Sequence, residues 1–206
     1  RGFRWKWLFK ENNSPTIASL YRAELIGYFG NNVLPLRLGE LLRSYIISKE
    51  YSLSKSFVFG TVILERLLDT LALVLFALLL LLIYPLKETI IGFIVQGGII
   101  SFVVMAVFLI IVYLVKIFQP ENKILLIINN IYEGVSSIKK DMLIPVIISS
   151  LLIWGIYLLD VYLIQKAFQF NLSWPQVLTV LVLSSLVLSI PSAPGMIGTF
   201  HAAVKY

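Results

Sequence analysis

Asn31-Asn32-Val33-Leu34-Pro35-Leu36-Arg37-Leu38-Gly39-Glu40-Leu41-Leu42-Arg43 is the stretch on which the reading of this chain turns. It sets two arginines and a glutamate between flanks apolar enough to lie in a lipid bilayer. A charge in such a place costs roughly 2.5–3.5 kcal/mol on insertion scales, so it persists only when it faces protein, water or a polar ligand. Proline lacks the N–H and restricts the residue before it, so Asn31-Asn32 and Leu34-Pro35 interrupt a regular helix. On the far side Arg37, Glu40 and Arg43 follow at i, i+3 and i+6, which lets the glutamate reach an arginine on either side. The stretch predicts a polar, broken helix inside a membrane.

The surroundings agree. Of the 206 residues 59% are hydrophobic, and the mean hydropathy is +0.91. Several continuous Leu/Ile/Val runs reach the roughly 20 residues that cross a bilayer. A β-barrel would alternate polar and apolar residues instead. The predicted fold is therefore an all-α polytopic membrane protein, with several transmembrane helices and two broken or re-entrant helices. The net charge of +6 does not call for nucleic acid, because the basic residues gather in loops where positive-inside topology places them. With no cysteine and the single histidine His201, no metal site or cofactor is expected.

Outward from the opening stretch, residues 1–206 read as a single membrane domain, part of a longer chain. Residues 1–15 (Arg1, Arg4, Trp5, Lys6, Trp7, Lys10) read as a cytoplasmic interfacial segment. Ser14-Pro15 is a candidate helix start. The broken element spans 16–48. Transmembrane helices are expected at 56–84, 89–118 and 143–168, with a cytoplasmic amphipathic helix at 119–142. The final stretch, 174–206, holds an apolar run from Val177 to Ile190. It breaks at Pro191-Ser192-Ala193-Pro194-Gly195 and continues through Gly198 to His201. Fourteen residues rise only about 21 Å as helix, short of the roughly 30 Å core, so this helix too breaks within the bilayer.

Lysine and arginine placement favours a hairpin at 16–48 whose two ends lie on the cytoplasmic side, since Lys49 and Lys55 then join the other cytoplasmic basic residues. The Pro-x-x-x-Gly spacing recurs at Pro35–Gly39 and Pro194–Gly198, on elements entering from opposite faces. That pattern is compatible with an inverted repeat around a midplane site.

A second charged cluster, Glu65-Arg66-Leu67-Leu68-Asp69, lies about 13 Å along the span that starts at Ser56. Its net −1 complements the net +1 of Arg37, Glu40 and Arg43, which predicts one interhelical network. Two readings stay open here: an ionic brace alone, or a brace that also contacts a ligand. Two guanidiniums in a dry cavity suit phosphate. Asp160, with Tyr157, Tyr162 and Lys166, reads as interfacial, and Trp154 and Trp174 as packing and belt residues. Arg22 and Glu24 read as complements to the hairpin.

These residues carry a resemblance. Asn32-x-x-Pro35-x-Arg37-x-Gly39-Glu40-x-x-Arg43, then Glu65-Arg66-x-x-Asp69, then Pro194-Gly195-x-x-Gly198-x-Phe200 resemble the three signatures of the lysylphosphatidylglycerol synthase membrane region. The same group is called the flippase-like domain or UPF0104-type family. The sequence departs from that pattern at Met196, where members usually show Gly, and at His201, where they show Glu. The soluble aminoacyl-transferase part of the synthase members has no counterpart in these residues. The resemblance thus implies lipid translocation or lipid handling rather than transfer of lysine.

On this reading Asn32, Arg37, Glu40, Arg43, Gly195 and Gly198 bind the headgroup of a phospholipid or glycolipid. Glu65, Arg66 and Asp69 form the structural ionic network. The expected partner is a membrane lipid, with a homo-oligomer compatible. The expected setting is a prokaryotic cytoplasmic membrane crossed several times, the N-terminal segment on the cytoplasmic side. The alternatives are an intramembrane lipid-modifying enzyme and a scaffold whose ionic network is purely structural. No G-x-S-x-G motif supports the enzyme, so no catalytic residue is expected.

Overall fold

The computed structural model describes residues 1–9, 14–35, 38–118 and 123–189. Among them it is all-helical: α1 (Gly2–Lys6), α2 (Ile17–Val33), α3 (Gly39–Glu50), α4 (Lys55–Ile83), α5 (Glu88–Phe118), α6 (Lys123–Val135), a 3-10 turn at Lys140–Met142, α7 (Leu143–Ala167) and α8 (Trp174–Ser189).

The broken element is a helical hairpin. α2 starts two residues later than Ser14-Pro15 implies, because the cap is Thr16, whose hydroxyl accepts from the Ser19 N–H at 3.2 Å. The helix ends where Leu34 turns extended (φ −92°, ψ 146°), the conformation that the following Pro35 favours. α3 then returns along α2. The return is close because Gly39 has no side chain: a Cβ there would collide with the Gly27 carbonyl and stand 2.6 Å from the Asn31 nitrogen. At the open end, Glu50 accepts from the Ser19 hydroxyl at 2.7 Å and from Arg22 at 2.6 Å.

α4 is the axis of the molecule. One apolar cluster gathers Trp5, Leu8, Leu20, Ala23 and Ile47 around Val58, Val62 and Leu64. Farther along α4 a second cluster joins Ala72, Leu73 and Leu80 to Ile94, Trp154, Leu178 and Val182. α6, expected within an interfacial stretch at 119–142, packs on α4 more extensively than any other helix does. Gly60 and Gly134 meet at that crossing; a Cβ on Gly134 would run into the Phe57 carbonyl and lie 2.8 Å from the Gly60 Cα.

Among the described residues two helical spans, Lys55–Ile83 and Lys140–Ala167, are long and apolar enough to cross a membrane. Only 22% and 17% of their most apolar windows are buried, whereas a core helix of a soluble protein hides such residues. Their outward faces carry Leu75, Leu78, Leu82, Ile144, Leu152 and Ile156. Lipid is the solvent that suits them.

The segment expected at the interface is folded inward instead. Trp5 and Leu8 are fully buried, and Arg4 is 1% exposed. The Trp5 indole N–H donates to the Thr61 hydroxyl at 2.9 Å, so the tryptophan finds a polar partner within the bundle. The break expected at 191–195, and with it the second half of the inverted repeat, lies outside the described residues.

Candidate functional site

Where α1, α2, α3, α4 and α7 meet, the charged side chains form one network. Arg43 of α3 is its hub. Its guanidinium lies 2.7 Å from Glu40, 2.8 Å from Glu65 and 3.4 Å from Glu24, and it stacks 4.7 Å over the Trp5 ring. Arg4 reaches Asp69 at 2.8 Å and Glu65 at 3.4 Å, and also donates to the Ser150 hydroxyl of α7 at 2.9 Å. Arg66 bridges Glu40 at 2.7 Å and Asp69 at 3.3 Å. Arg1 adds a 3.0 Å pair with Asp69 and a hydrogen bond to the Tyr157 hydroxyl. Four guanidiniums thus face four carboxylates, and the set is formally neutral.

Helical spacing explains part of this arrangement. Glu40 and Arg43 share a face at i, i+3, as do Arg66 and Asp69. The hairpin then swings the α3 pair onto α4, where Glu65 is wholly buried. A buried ion needs both a counter-ion and hydrogen bonds for its remaining polar atoms. Sharing Glu40, Glu65 and Asp69 between arginines of different helices supplies the counter-ions, while Glu24 pairs with Arg43 and accepts from the Tyr28 hydroxyl.

The expected residues are distributed unevenly over this network. Glu40, Arg43, Glu65, Arg66 and Asp69 belong to it. Asn32 does not: it is exposed and donates to the Tyr28 carbonyl at 2.8 Å. Its neighbour Asn31 reaches Glu40, at 3.3 Å. Arg43, expected against a headgroup, is enclosed by carboxylates with its side chain 3% exposed. Arg66, expected as a brace, is the most open arginine of the set at 37%, beside Glu40 at 18%. Arg37, Gly195, Gly198 and His201 lie outside the described residues.

Arg1, Arg4, Glu24, Ser150 and Tyr157 are members that the sequence reading did not place in the network. A tryptophan flanked by basic residues near a membrane reads as interfacial, and that reading hid Arg4. The signal for Glu24 was its position in the first half of the hairpin, on a helix whose one other charged residue is Arg22.

Asp160 is exposed. Trp174 stacks on Tyr162 with ring centroids 4.4 Å apart, while Trp154 packs between Phe76 and Tyr157.

Lipid-facing helices around an internal, charge-balanced network define an integral membrane domain. The chain belongs to the lysylphosphatidylglycerol synthase TM region family, whose model matches residues 1–205. It is similar to a UPF0104 membrane protein of Methanocaldococcus jannaschii, 30% identical over 184 residues, which are 86% of this chain and 78% of that protein. A second UPF0104 membrane protein of the same organism is 37% identical over 70 residues, 32% of this chain and 21% of the relative. No solved structure matches the chain.

Proposed function

We propose that this chain is a lipid translocase, passing a phospholipid or glycolipid headgroup along the broken end of the α2–α3 hairpin. The observation that carries the reading is where the ionic network opens. Arg4 and Glu65 have fully enclosed side chains and Arg43 is 3% exposed, whereas Glu40 and Arg66 are open beside the hairpin break. A headgroup meeting charge in the bilayer meets it there. Membership in a family named for a lipid synthase supports a lipid as the substrate.

In this proposal the hairpin is re-entrant, both ends are cytoplasmic, and the chain crosses a prokaryotic cytoplasmic membrane several times. The break expected from the sequence at 191–195 is proposed to supply the inverted second half of the path. In sequence Arg37 comes two residues after Pro35 and two before the start of α3 at Gly39, and N–H groups at a half-helix start favour an anion. Arg37 is therefore the arginine proposed to take the phosphate, with Arg43 holding the hairpin to α4. No covalent change to the lipid is involved.

The test is headgroup accessibility in proteoliposomes containing a panel of anionic and zwitterionic labelled lipids, with the lipids recovered and analysed afterwards. Wild type should expose inner-leaflet label faster than protein-free vesicles and return every lipid chemically intact. Arg37→Lys keeps the charge and loses the planar fork, so it should slow movement at unchanged melting temperature. Equal rates would make Arg37 structural. No movement of any lipid would favour the second reading, an ionic brace alone, which the carboxylate pairing of Arg1, Arg4, Arg43 and Arg66 supports. An altered lipid would point to the enzyme.

A further inference from the structure

Glu24 is the carboxylate of the network that the proposed path leaves unused. It lies on the inward face of α2 and is 4% exposed. The other three carboxylates each touch at least two guanidiniums. Glu40 has those of Arg43 and Arg66, Glu65 those of Arg43 and Arg4, and Asp69 those of Arg1, Arg4 and Arg66. Among the described residues Glu24 touches the guanidinium of Arg43 alone, at 3.4 Å. The nitrogen it reaches, Arg43 Nη1, is already held by Glu65 at 2.8 Å, so two carboxylates meet on one guanidinium nitrogen. Its remaining bond comes from the Tyr28 hydroxyl of its own helix, at 3.1 Å. From the α1 side Arg1 faces it, with the amino group at residue 1, and Arg4 stands behind Glu65. α3 brings Glu40 beside Arg43, α4 brings Glu65, and α7 brings the Tyr157 hydroxyl, bonded to Arg1.

We propose that Glu24 is the proton-binding site of this network. Two carboxylates that share a cation resist being ionised together, and the one with the weaker pairing takes the proton. Glu65 holds Arg43 at the shorter distance and has Arg4 as a second cation, so the proton goes to Glu24. A protonated Glu24 strands nothing: its carbonyl oxygen still accepts from Arg43, and its hydroxyl has the Tyr28 oxygen within reach. The hairpin therefore stays closed on loading. What changes is charge, from formally neutral to net +1, centred on Arg43 and shared through Glu40 with Arg66 at the open edge. An anion at that edge and a proton on Glu24 then favour each other by the same free energy. This last step rests on the hairpin edge being where a headgroup is handled; the proton site itself does not.

Infrared difference spectra of the purified protein in detergent read the proton directly, through the C=O stretch that a carboxylic acid has and a carboxylate lacks. Stepping down from about pH 9 to about pH 5 keeps exposed carboxylates ionised while covering the range of buried ones. Wild type should gain an acid band over those steps, and Glu24→Gln should lose it. Tyr28→Phe removes a donor that favours the ionised form, so the band should persist with its midpoint moved to higher pH. Binding of short-chain phosphatidylglycerol, whose diester keeps its charge throughout, is followed over the same steps. Its affinity should fall in wild type as Glu24 ionises and stay constant in Glu24→Gln, with net-neutral phosphatidylcholine as the background.

No acid band in wild type, or one that survives Glu24→Gln, would overturn the proton site. Should Glu24→Gln fail to fold, the Tyr28→Phe midpoint decides, and an unmoved midpoint places the proton elsewhere. A band that belongs to Glu24, beside phosphatidylglycerol binding that ignores pH, would uphold the proton site and overturn its link to the headgroup. Binding whose pH dependence survives Glu24→Gln would keep the headgroup reading and remove Glu24 from it.

Discussion

Arg43 has three carboxylates within 3.4 Å and almost no contact with solvent, so what it does for stability follows from what its removal would strand. Arg43→Met would leave Glu24, Glu40 and Glu65 facing one another without their shared cation. Breaking a buried pair in this way costs about 3–5 kcal/mol. Arg4→Met should cost a similar amount by uncovering Glu65 and Asp69. Denaturant titration of the purified protein should show both losses. The combined variant should lose less than the two separate losses added together, because both arginines hold Glu65. Strict additivity would mean that the two ends of the network act independently.

Glu50 belongs to a different, solvent-exposed latch. The Ser19 hydroxyl and then Arg22 hold its carboxyl below the usual carboxylate range. A depressed folded pKa adds stability that is present above the unfolded value, near 4.3, and is lost as pH falls through the folded one. Wild type should therefore lose part of its thermal stability as pH drops below about 4.3, and Glu50→Gln should lose less over that window. The effect is small, since exposed pairs are screened. Identical acid limbs in the two melting profiles would rule the latch out.

The helices are positioned as much by missing side chains as by present ones. α3 lies against α2 at Gly39 and Gly27, and α6 crosses α4 at Gly134 and Gly60. At Gly39, Gly60 and Gly134 the nearest obstacle to a Cβ is backbone, which cannot turn aside as a flexible side chain would. Overpacking of this kind typically costs about 1–3 kcal/mol. Gly39→Ala should pay that and also part the hairpin, separating Asn31 from Glu40. Gly134→Ala should loosen α6 while leaving the hairpin closed. Cysteine pairs placed across each crossing would report this as cross-linking lost in one variant and kept in the other. Loss at both crossings from either substitution would show that the helices move as one unit.

Over the whole molecule, the apolar outer faces of α4 and α7 set the orientation in lipid, and loop charge sets its sign. Positions 12 and 52 flank the hairpin, so Asn12→Cys and Ser52→Cys should both react with an impermeant thiol reagent from the cytoplasmic side. Reaction from opposite sides would mean that residues 16–48 cross the membrane once, and would remove the re-entrant hairpin from the proposal.

Much of this architecture was legible along the chain because its causes are short in range. An apolar run long enough to span a bilayer is a property of consecutive residues. So is the break at Pro35, and so are the i, i+3 pairs Glu40–Arg43 and Arg66–Asp69. By themselves they determined an all-helical membrane fold, a helix–break–helix at 16–48 and helix limits close to those of α4, α5 and α7. The choice of partner was decided elsewhere. Arg4 finds Glu65 and Asp69 across 61 and 65 residues, and any basic residue near a carboxylate-bearing helix satisfies the same charge count. Only the fold selects among them: the glycine crossings bring the backbones close, Trp5 and Leu8 pull α1 into the apolar cluster, and Arg4 is carried inward with them. That same packing exchanged the parts of two arginines, enclosing Arg43 among carboxylates and leaving Arg66 at the edge, because exposure depends on which helix lies opposite and not on a residue's neighbours in sequence.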